Sequence, residues 1–453
     1  MMRIRLSFLA LLLVFGIARP AHAQTAAAAV SLTVDLTLEA AIARAVEHAP
    51  RLAEVHARQT AAAANVVARQ AAAAPSLVAS SGYLRTNHVD EFGIPQPNGT
   101  TRILFPDITD NFRTRAELGV PLLTSGRTKS AVEAARSEVR GLEADRKAAA
   151  ADVRLDASRA YWSLVLSRER VRVLDASLSR MDAWVADVQA RVTAGVLPPN
   201  DVLSAQAQRA RDNVQLIQAR SAAMSAELEL ARMVGLELGQ PINVVTPVDQ
   251  PVPGAAEAVA QPIATLVNRA REGRFERTGL QERQAGLRSA AEAALASTRP
   301  LVSAVAAVEP SRPNQRFVPR ADEWKTSWDL GVHVTWALWD GGRAKADRAA
   351  ALAQAQAVGY RLEDLDAQIA VDIRQRLLDL EANRAALQAT GEAVAAATEA
   401  RRVIGERFTA GVATPTDVLD AQNALLQAEL ERTQISASLR LGEARLLRAV
   451  GAL

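Results

Sequence analysis

The 453-residue chain has no cysteine, and aromatic residues make up only 4% of it. Without a thiol no disulfide can form, and no lipid can be attached to an N-terminal cysteine. The five histidines, His22, His48, His56, His88 and His333, are scattered with none at metal-ligand spacing, and there are only five methionines. No metal site, copper or silver conduit, or cofactor is therefore expected. Beyond the first two dozen residues no apolar run is long enough for a membrane-spanning helix. No basic cluster interleaved with aromatics marks a nucleic-acid surface. No catalytic Ser-His-Asp set can be nominated, so an enzyme is not expected. The one glycine-rich candidate, "DGGR" at 340–343, lacks the Gly-Lys-Ser/Thr ending of a phosphate loop and reads as a strand-to-helix turn.

What the chain does have begins with a leader. "MMRIRLSFLALLLVFGIARPAHAQ" opens with Arg3 and Arg5, continues through an apolar stretch and ends on the small-residue exit Ala21-His22-Ala23. This pattern predicts a signal peptide over 1–23, cleaved after Ala23, and hence an exported protein. The leader carries Arg3, Arg5 and Arg19 and no acid, so 50 of the 53 basic residues remain against 50 acidic ones. The pI of about 9.5 therefore says nothing about partners.

The remainder is written twice. "RVTAGVLPPNDVLSAQAQRARDNVQLIQ" at 191–218 returns as "RFTAGVATPTDVLDAQNALLQAELERTQ" at 407–434, a shift of 216. The same shift relates Arg127 to Arg343 and Gly235 to Gly451; upstream it becomes 225, as between Pro75 and Pro300. Two copies follow, 24–235 and 262–453, joined by a proline-bearing linker over 236–261. Each copy predicts a first helix (about 38–74 and 263–298) and a strand pair (about 76–122 and 301–339). A long proline-free helix (about 126–192 and 343–408) and a shorter helix (about 200–234 and 416–450) complete it. The long helix would reach roughly 100 Å and must pack lengthwise on others.

The strands alternate. In "NFRTRAELGVPL" Phe112, Thr114, Ala116, Leu118, Val120 and Leu122 share one face, and Arg113, Arg115 and Glu117 the other. In "SWDLGVHVTWAL" Trp328, Leu330, Val332, Val334, Trp336 and Leu338 oppose Asp329, His333 and Thr335. The segments between paired strands, 87–110 and 310–325, read as loops. Apolar out, polar in and tryptophan near both ends is the pattern of a transmembrane barrel strand. Four strands cannot close a barrel and an open edge is not tolerated in lipid, so the chain must oligomerise; three chains give twelve strands.

Together these marks resemble the TolC family of outer-membrane efflux proteins. The resemblance rests on "LTLEAAIARAVEHAPRL", the turns "VPLLTSGR" and "LWDGGR", "AYWSLVLSRERV", the two TAGV tips with VL-x-AQ, and the terminal "AVGAL". It implies a mixed α and β membrane protein. A homotrimer would set a twelve-stranded barrel in the outer-membrane lipid and continue it into the periplasm as an α-helical barrel. It also implies docking on a periplasmic adaptor fed by an inner-membrane transporter, to export small molecules such as drugs, or service in type I protein secretion. A reading from another class, a periplasmic coiled-coil adaptor or structural protein, explains the helices but not the two-faced strands.

At the tips, Gly195 and Gly411 permit positive φ, Val196 and Val412 stand beside them, and Arg191 and Arg407 complement the helix C-termini. The resemblance makes these six residues the adaptor-docking positions. It also implies that Asp417 and Asp420, three residues apart on one helix face, line the constricted periplasmic gate as two acidic rings that raise one another's pKa. The first copy has Asp201 and Ser204 there. Asp417 and Asp201 can equally serve the free N–H groups of a helix start.

Overall fold

The computed structural model describes residues 33–453; the expected signal peptide lies outside them. The first half runs β1 (Val34–Leu36), α1 (Leu38–His48), α2 (Pro50–Ala71), β2 (Ser76–Arg85), β3 (Phe92–Pro95), β4 (Thr101–Phe105), β5 (Asp110–Leu123), α3 (Arg127–Thr193) and α4 (Pro199–Val234). Then come β6 (Ile242–Val244) and α5 (Ala255–Val259). The second half runs α6 (Ile263–Gly273), α7 (Phe275–Ala296), β7 (Leu301–Arg312), β8 (Lys325–Thr335), α8 (Arg343–Thr409) and α9 (Pro415–Val450). Helices α3 and α8 each have 67 residues and α4 and α9 each have 36, and each pair is offset by 216 positions.

Composition explains the length of α3 and α8. Neither contains proline, and both are rich in alanine and arginine, which lose little on entering a helix. Sixty-seven residues at 1.5 Å each span roughly 100 Å. Such a helix is stable only through lengthwise contacts, and each long helix folds back on the shorter helix that follows it. Between the long helices, α7 packs against both.

The first helix of each copy is divided where the sequence predicts one piece. Ala49 adopts φ −72°, ψ 111° because the ring of Pro50 disfavours the helical conformation of its predecessor. Proline itself fits the first turn of α2. Arg274 makes the same break, at φ −80°, ψ 116°, without a proline. Its guanidinium lies 3.5 Å from Glu276 and 3.6 Å from Asp372.

The segment 236–261 differs more from its expectation as a linker. Strand β6 pairs in parallel with β1, Val34 to Ile242 and Leu36 to Val244. Ile242, Val252 and Ala255 belong to the largest apolar core, with Tyr161, Trp162, Leu230, Leu266, Ile369 and Leu446. The Tyr161 hydroxyl donates to the Leu36 carbonyl at 3.2 Å and accepts from the Thr246 N–H at 2.9 Å. A buried ion pair holds the segment to α9. Arg440 donates to both oxygens of Glu443 at 2.9 and 2.8 Å and to the carbonyls of Val248 and Asp249, while Glu443 accepts from the Val252 N–H. This core lies partway along the helices and joins the two halves.

At one end of the helices, β2, β5, β7 and β8 form an antiparallel sheet in that order. The expected loop between β2 and β5 contains a hairpin, β3 with β4, turned at Asn98-Gly99 with Gly99 at φ +81°.

Candidate functional site: the two-faced sheet and the helix tips

Cross-strand register fixes what each face of the sheet presents. Leu77, Leu118, Ala306 and Leu330 form one row across all four strands, and Ala79, Ala116, Val308 and Trp328 the next. On β8 this face is bare: Leu330 is 74% exposed, and Trp328, Val332 and Val334 are exposed with it. Strand β8 ends at Thr335, short of the expected Leu338, where the Trp336 indole donates to the Thr298 carbonyl at 3.0 Å. Trp336 and Leu338 remain exposed beyond it.

The opposite face is polar and charge-paired. Arg115 on β5 donates to Glu117 at 3.0 Å, to Glu309 on β7 at 3.2 Å and to Asp329 on β8 at 3.0 and 3.2 Å. Arg113 adds a 2.7 Å bond to Glu309. The alternation of Arg113, Arg115 and Glu117 was legible in the sequence as a polar face; its partners on β7 and β8 were not, because register between strands nearly 200 residues apart is not written locally. The sheet is open at both edges, β2 and β8.

The helix tips lie at the other end and touch each other. Trp184 of α3 packs edge-on against Phe408 of α8 at 4.8 Å, in a cluster with Met181, Val188, Val202 and Val418. Gly195 and Gly411 adopt φ +75° and +74°, and nothing lies within 4 Å of where a Cβ would stand. The Val196 N–H donates to the Arg191 carbonyl at 2.9 Å and the Val412 N–H to the Arg407 carbonyl at 2.8 Å, so each glycine lets the chain cap its helix and turn. Val196 and Val412 are left 67% and 66% exposed.

The two arginines are not equivalent. Arg191 pairs with Asp187 at 3.0 Å and lies 4.6 Å above the Phe408 ring. Arg407 is exposed and, among the described residues, makes no ion pair. Phe408, which creates the difference, stands where the first copy has Val192.

Asp417 and Asp420 both lie on the exposed face of α9. Asp417 is the third residue of the helix and closes a reciprocal cap with Thr414. It accepts from the Thr414 N–H at 2.7 Å and hydroxyl at 2.8 Å, and its own N–H donates to that hydroxyl at 3.2 Å. Within one chain the Thr414 N–H, the Thr414 hydroxyl and the nearby Arg407 charge hold the Asp417 carboxyl below its ordinary range. The mutual elevation expected of an acidic ring needs neighbouring chains and has no counterpart within one chain. Asp420 makes no hydrogen bond among the described residues. In the first copy Pro198 replaces Thr414, and α4 has no side-chain cap; Asp201 has only the Asn200 amide, at 3.3 Å.

These two features, a sheet with one bare apolar face and a pair of capped tips at the far end of 67-residue helices, are those of an outer-membrane efflux channel protein. The chain belongs to the outer membrane efflux protein family, whose model matches it in two stretches, 41–236 and 266–452. It is similar in sequence to the cobalt-zinc-cadmium resistance protein CzcC of Cupriavidus metallidurans, 24% identical over 140 residues. That match spans 31% of this chain and about a third of the relative, 34%. In fold it is similar to the outer membrane protein VceC of Vibrio cholerae, with a TM-score of 0.74, 20% identity, and coverage of 91% of this chain and 96% of that one. It is likewise similar to the open state of the Neisseria gonorrhoeae MtrE outer membrane channel, with a TM-score of 0.73, 18% identity, and coverage of 91% and 88%. No helix among the described residues is long and apolar enough to cross a membrane.

Proposed function

We propose that the chain is one subunit of a homotrimeric outer-membrane exit duct that exports small toxic compounds from a Gram-negative cell. The observation that carries this is the sheet: a bare apolar face, a charge-paired opposite face and two free edges in one four-stranded unit. A soluble domain would cover such a face, whereas lipid solvates it. Trp328 and Trp336 lie eight positions apart, roughly 26 Å along a strand, close to the height of a barrel's apolar band.

Closure supports three subunits. An antiparallel sheet of four strands has outer strands of opposite direction, so β8 of one chain can pair antiparallel with β2 of the next. Three chains then give twelve strands with no edge left in lipid. The helices carry a matching signal. Leu203, Val214, Ile217, Met224 and Leu228 are exposed along α4 at spacings that keep them on one side of the helix, which suits a neighbouring subunit. The helices would continue the barrel into the periplasm.

Six tips per trimer, each with Gly195-Val196 or Gly411-Val412 at its apex, would meet the adaptor that connects the duct to an inner-membrane transporter. Arg407 offers an unpaired cation beside the second tip and Arg191 does not, so the two tips present different charge. Asp417 and Asp420 form the gate at the periplasmic entrance. Type I protein secretion uses the same kind of duct and remains the alternative cargo; the metal-resistance name of CzcC supports small toxic solutes. A periplasmic adaptor would leave the apolar face of β8 in water.

The test is assembly in lipid. The mature protein should resist high-salt extraction, dissolve in detergent as an elongated trimer and insert into bilayers as a pore. Leu330→Arg, on the lipid-facing row, should block insertion at a cost of about 2–4 kcal/mol per subunit, while His333→Arg on the other face should insert. A salt-extractable monomer would overturn the reading.

A further inference from the structure

Where the sheet meets the helices, a concavity of about 460 Å³ opens between the C-terminal end of α2, the first turn of α3 and the near ends of β5, β7 and β8. Its apolar lining includes Pro121, Leu123, Leu301 and Val302, with Thr124, Ser303 and Thr335 among them. Two guanidiniums line it, Arg69 from the last turn of α2 and Arg127 from the first residue of α3. No carboxylate does.

The concavity carries two cations and no acid in its lining. Along the neighbouring elements other arginines are engaged: Arg113 and Arg115 with Glu309, Arg136 and Arg140 with Glu133, Arg348 with Glu292. Among the described residues, the side chains of Arg69 and Arg127 make neither an ion pair nor a hydrogen bond. The first turn of α3 holds no acid that could neutralise Arg127. Arg299, outside the lining, donates to the Ser125 carbonyl at 3.2 Å. Two unpaired guanidiniums in one lining with apolar side chains complement an anion that carries an apolar body: a planar fork binds sulfonate, carboxylate or phosphate oxygens, and the apolar lining takes the hydrocarbon.

The lining takes residues of both parities: Leu301, Ser303 and Thr335 have that of Glu309 and Asp329, whereas Val302, paired with Leu123 and Val334, has that of Leu330. The concavity therefore sits at the end of the sheet, where both of its faces meet the helices. We infer that this junction is a binding site for anionic, partly apolar organic solutes, one per subunit, held between Arg69 and Arg127.

This rests on the duct reading above, and the experiment separates the two. The full protein is reconstituted into nanodiscs of phosphatidylcholine, trimer insertion is measured, and 2-naphthalenesulfonate is added in equilibrium dialysis. Saturable binding is expected, weakening with salt, with neutral 2-naphthol binding at least about tenfold more weakly, the size of effect a charge-assisted contact supplies. The double variant Arg69→Gln/Arg127→Gln should insert as a trimer and lose about tenfold in affinity for the sulfonate. Arg69→Lys/Arg127→Lys, which keeps the charge, should lose less. Equal affinity in the glutamine variant, or 2-naphthol binding as tightly as the sulfonate, overturns the site while the duct stands. Displacement of the sulfonate when phosphatidylglycerol replaces phosphatidylcholine would show the occupant to be a lipid headgroup and overturn it as well. A chain that does not insert overturns both.

Discussion

Arg115 and Asp329 meet in a two-pronged ion pair, 3.0 and 3.2 Å, that reaches from β5 over β7 to β8. One partner lies in the first copy of the sequence and the other in the second. The cluster also gathers Glu309 from the strand between them and Glu117 from β5 itself, so one cation answers three carboxylates on the proposed inner wall. Arg115→Gln would leave Glu309 with Arg113 alone and Asp329 with Arg316, 3.7 Å away. Each subunit's wall then becomes one charge more negative. The expected outcome is a shift of the pore's selectivity toward cations, read as a displaced reversal potential across a salt gradient. An unchanged reversal potential would place this face outside the conduction path.

The ion pair between Arg440 and Glu443 is of another kind, since both side chains are buried. Between them they hold the backbone of the joining segment at Val248, Asp249 and Val252. Removing one partner strands the other charge in the core, an effect of about 3–5 kcal/mol. Glu443→Ala should therefore lower the thermal stability of the detergent-solubilised protein far more than Glu429→Ala, whose partner Arg180 is only half-buried. Similar melting of the two variants would show that the clamp contributes little.

That clamp also marks where the sequence stopped being informative. Long elements were readable because their signal is local and repeated: 67 residues without proline, or strands alternating in period two. The tips were readable because glycine at positive φ has few substitutes. Strands β1 and β6 have three residues each and lie about 200 positions apart, too short for periodicity, and their pairing is fixed by the core around Tyr161. The hairpin of β3 and β4 did have a signal, the Asn98-Gly99 turn between "FGIP" and "TRILF", which the surrounding prolines obscured. At the proposed gate, the third position of α9 announced a cap, and only the structure shows Thr414 completing it.

Asp212 of α4 is 1% exposed. One carboxylate oxygen accepts from the Gln208 amide at 2.8 Å and the other has no partner. Burial pushes its carboxyl above the ordinary 3.8, against smaller opposing effects of Gln208 and Arg211. The folded chain then keeps a proton that the unfolded chain has lost. Stability should fall as pH rises from about 3.8 through the raised folded value, and the deficit is complete above it. The second copy has Ala428 at this place. Asp212→Ala should gain about 1 kcal/mol near neutral pH by removing an unsatisfied buried group, and should flatten the acid side of the stability profile. Hydrogen exchange along α4 as a function of pH checks both; a less stable variant at neutral pH would contradict the assignment.

Asp417 and Asp420 can be separated by what holds them. Asp417 is tied to Thr414, and its lowered carboxyl means that the cap is intact above the ordinary 3.8 and is lost only as pH falls through the still lower folded value. Charge at this position is therefore present throughout the neutral range. Asp420 is bound to nothing among the described residues and is the freer ligand for a cation. If both line the entrance of a trimer, hexamminecobalt added on the periplasmic side of a planar bilayer should block the pore. Asp417→Ala/Asp420→Ala should abolish the block, and Asp201→Ala should leave it. Thr414→Val supplies the internal control. It removes the cap partner but no charge, so the first turn of α9 should exchange its amide hydrogens faster while the block persists. Loss of block in Thr414→Val would mean that the cap's geometry and not the carboxylate charge closes the entrance. Undiminished block in the double alanine variant would remove both aspartates from the gate.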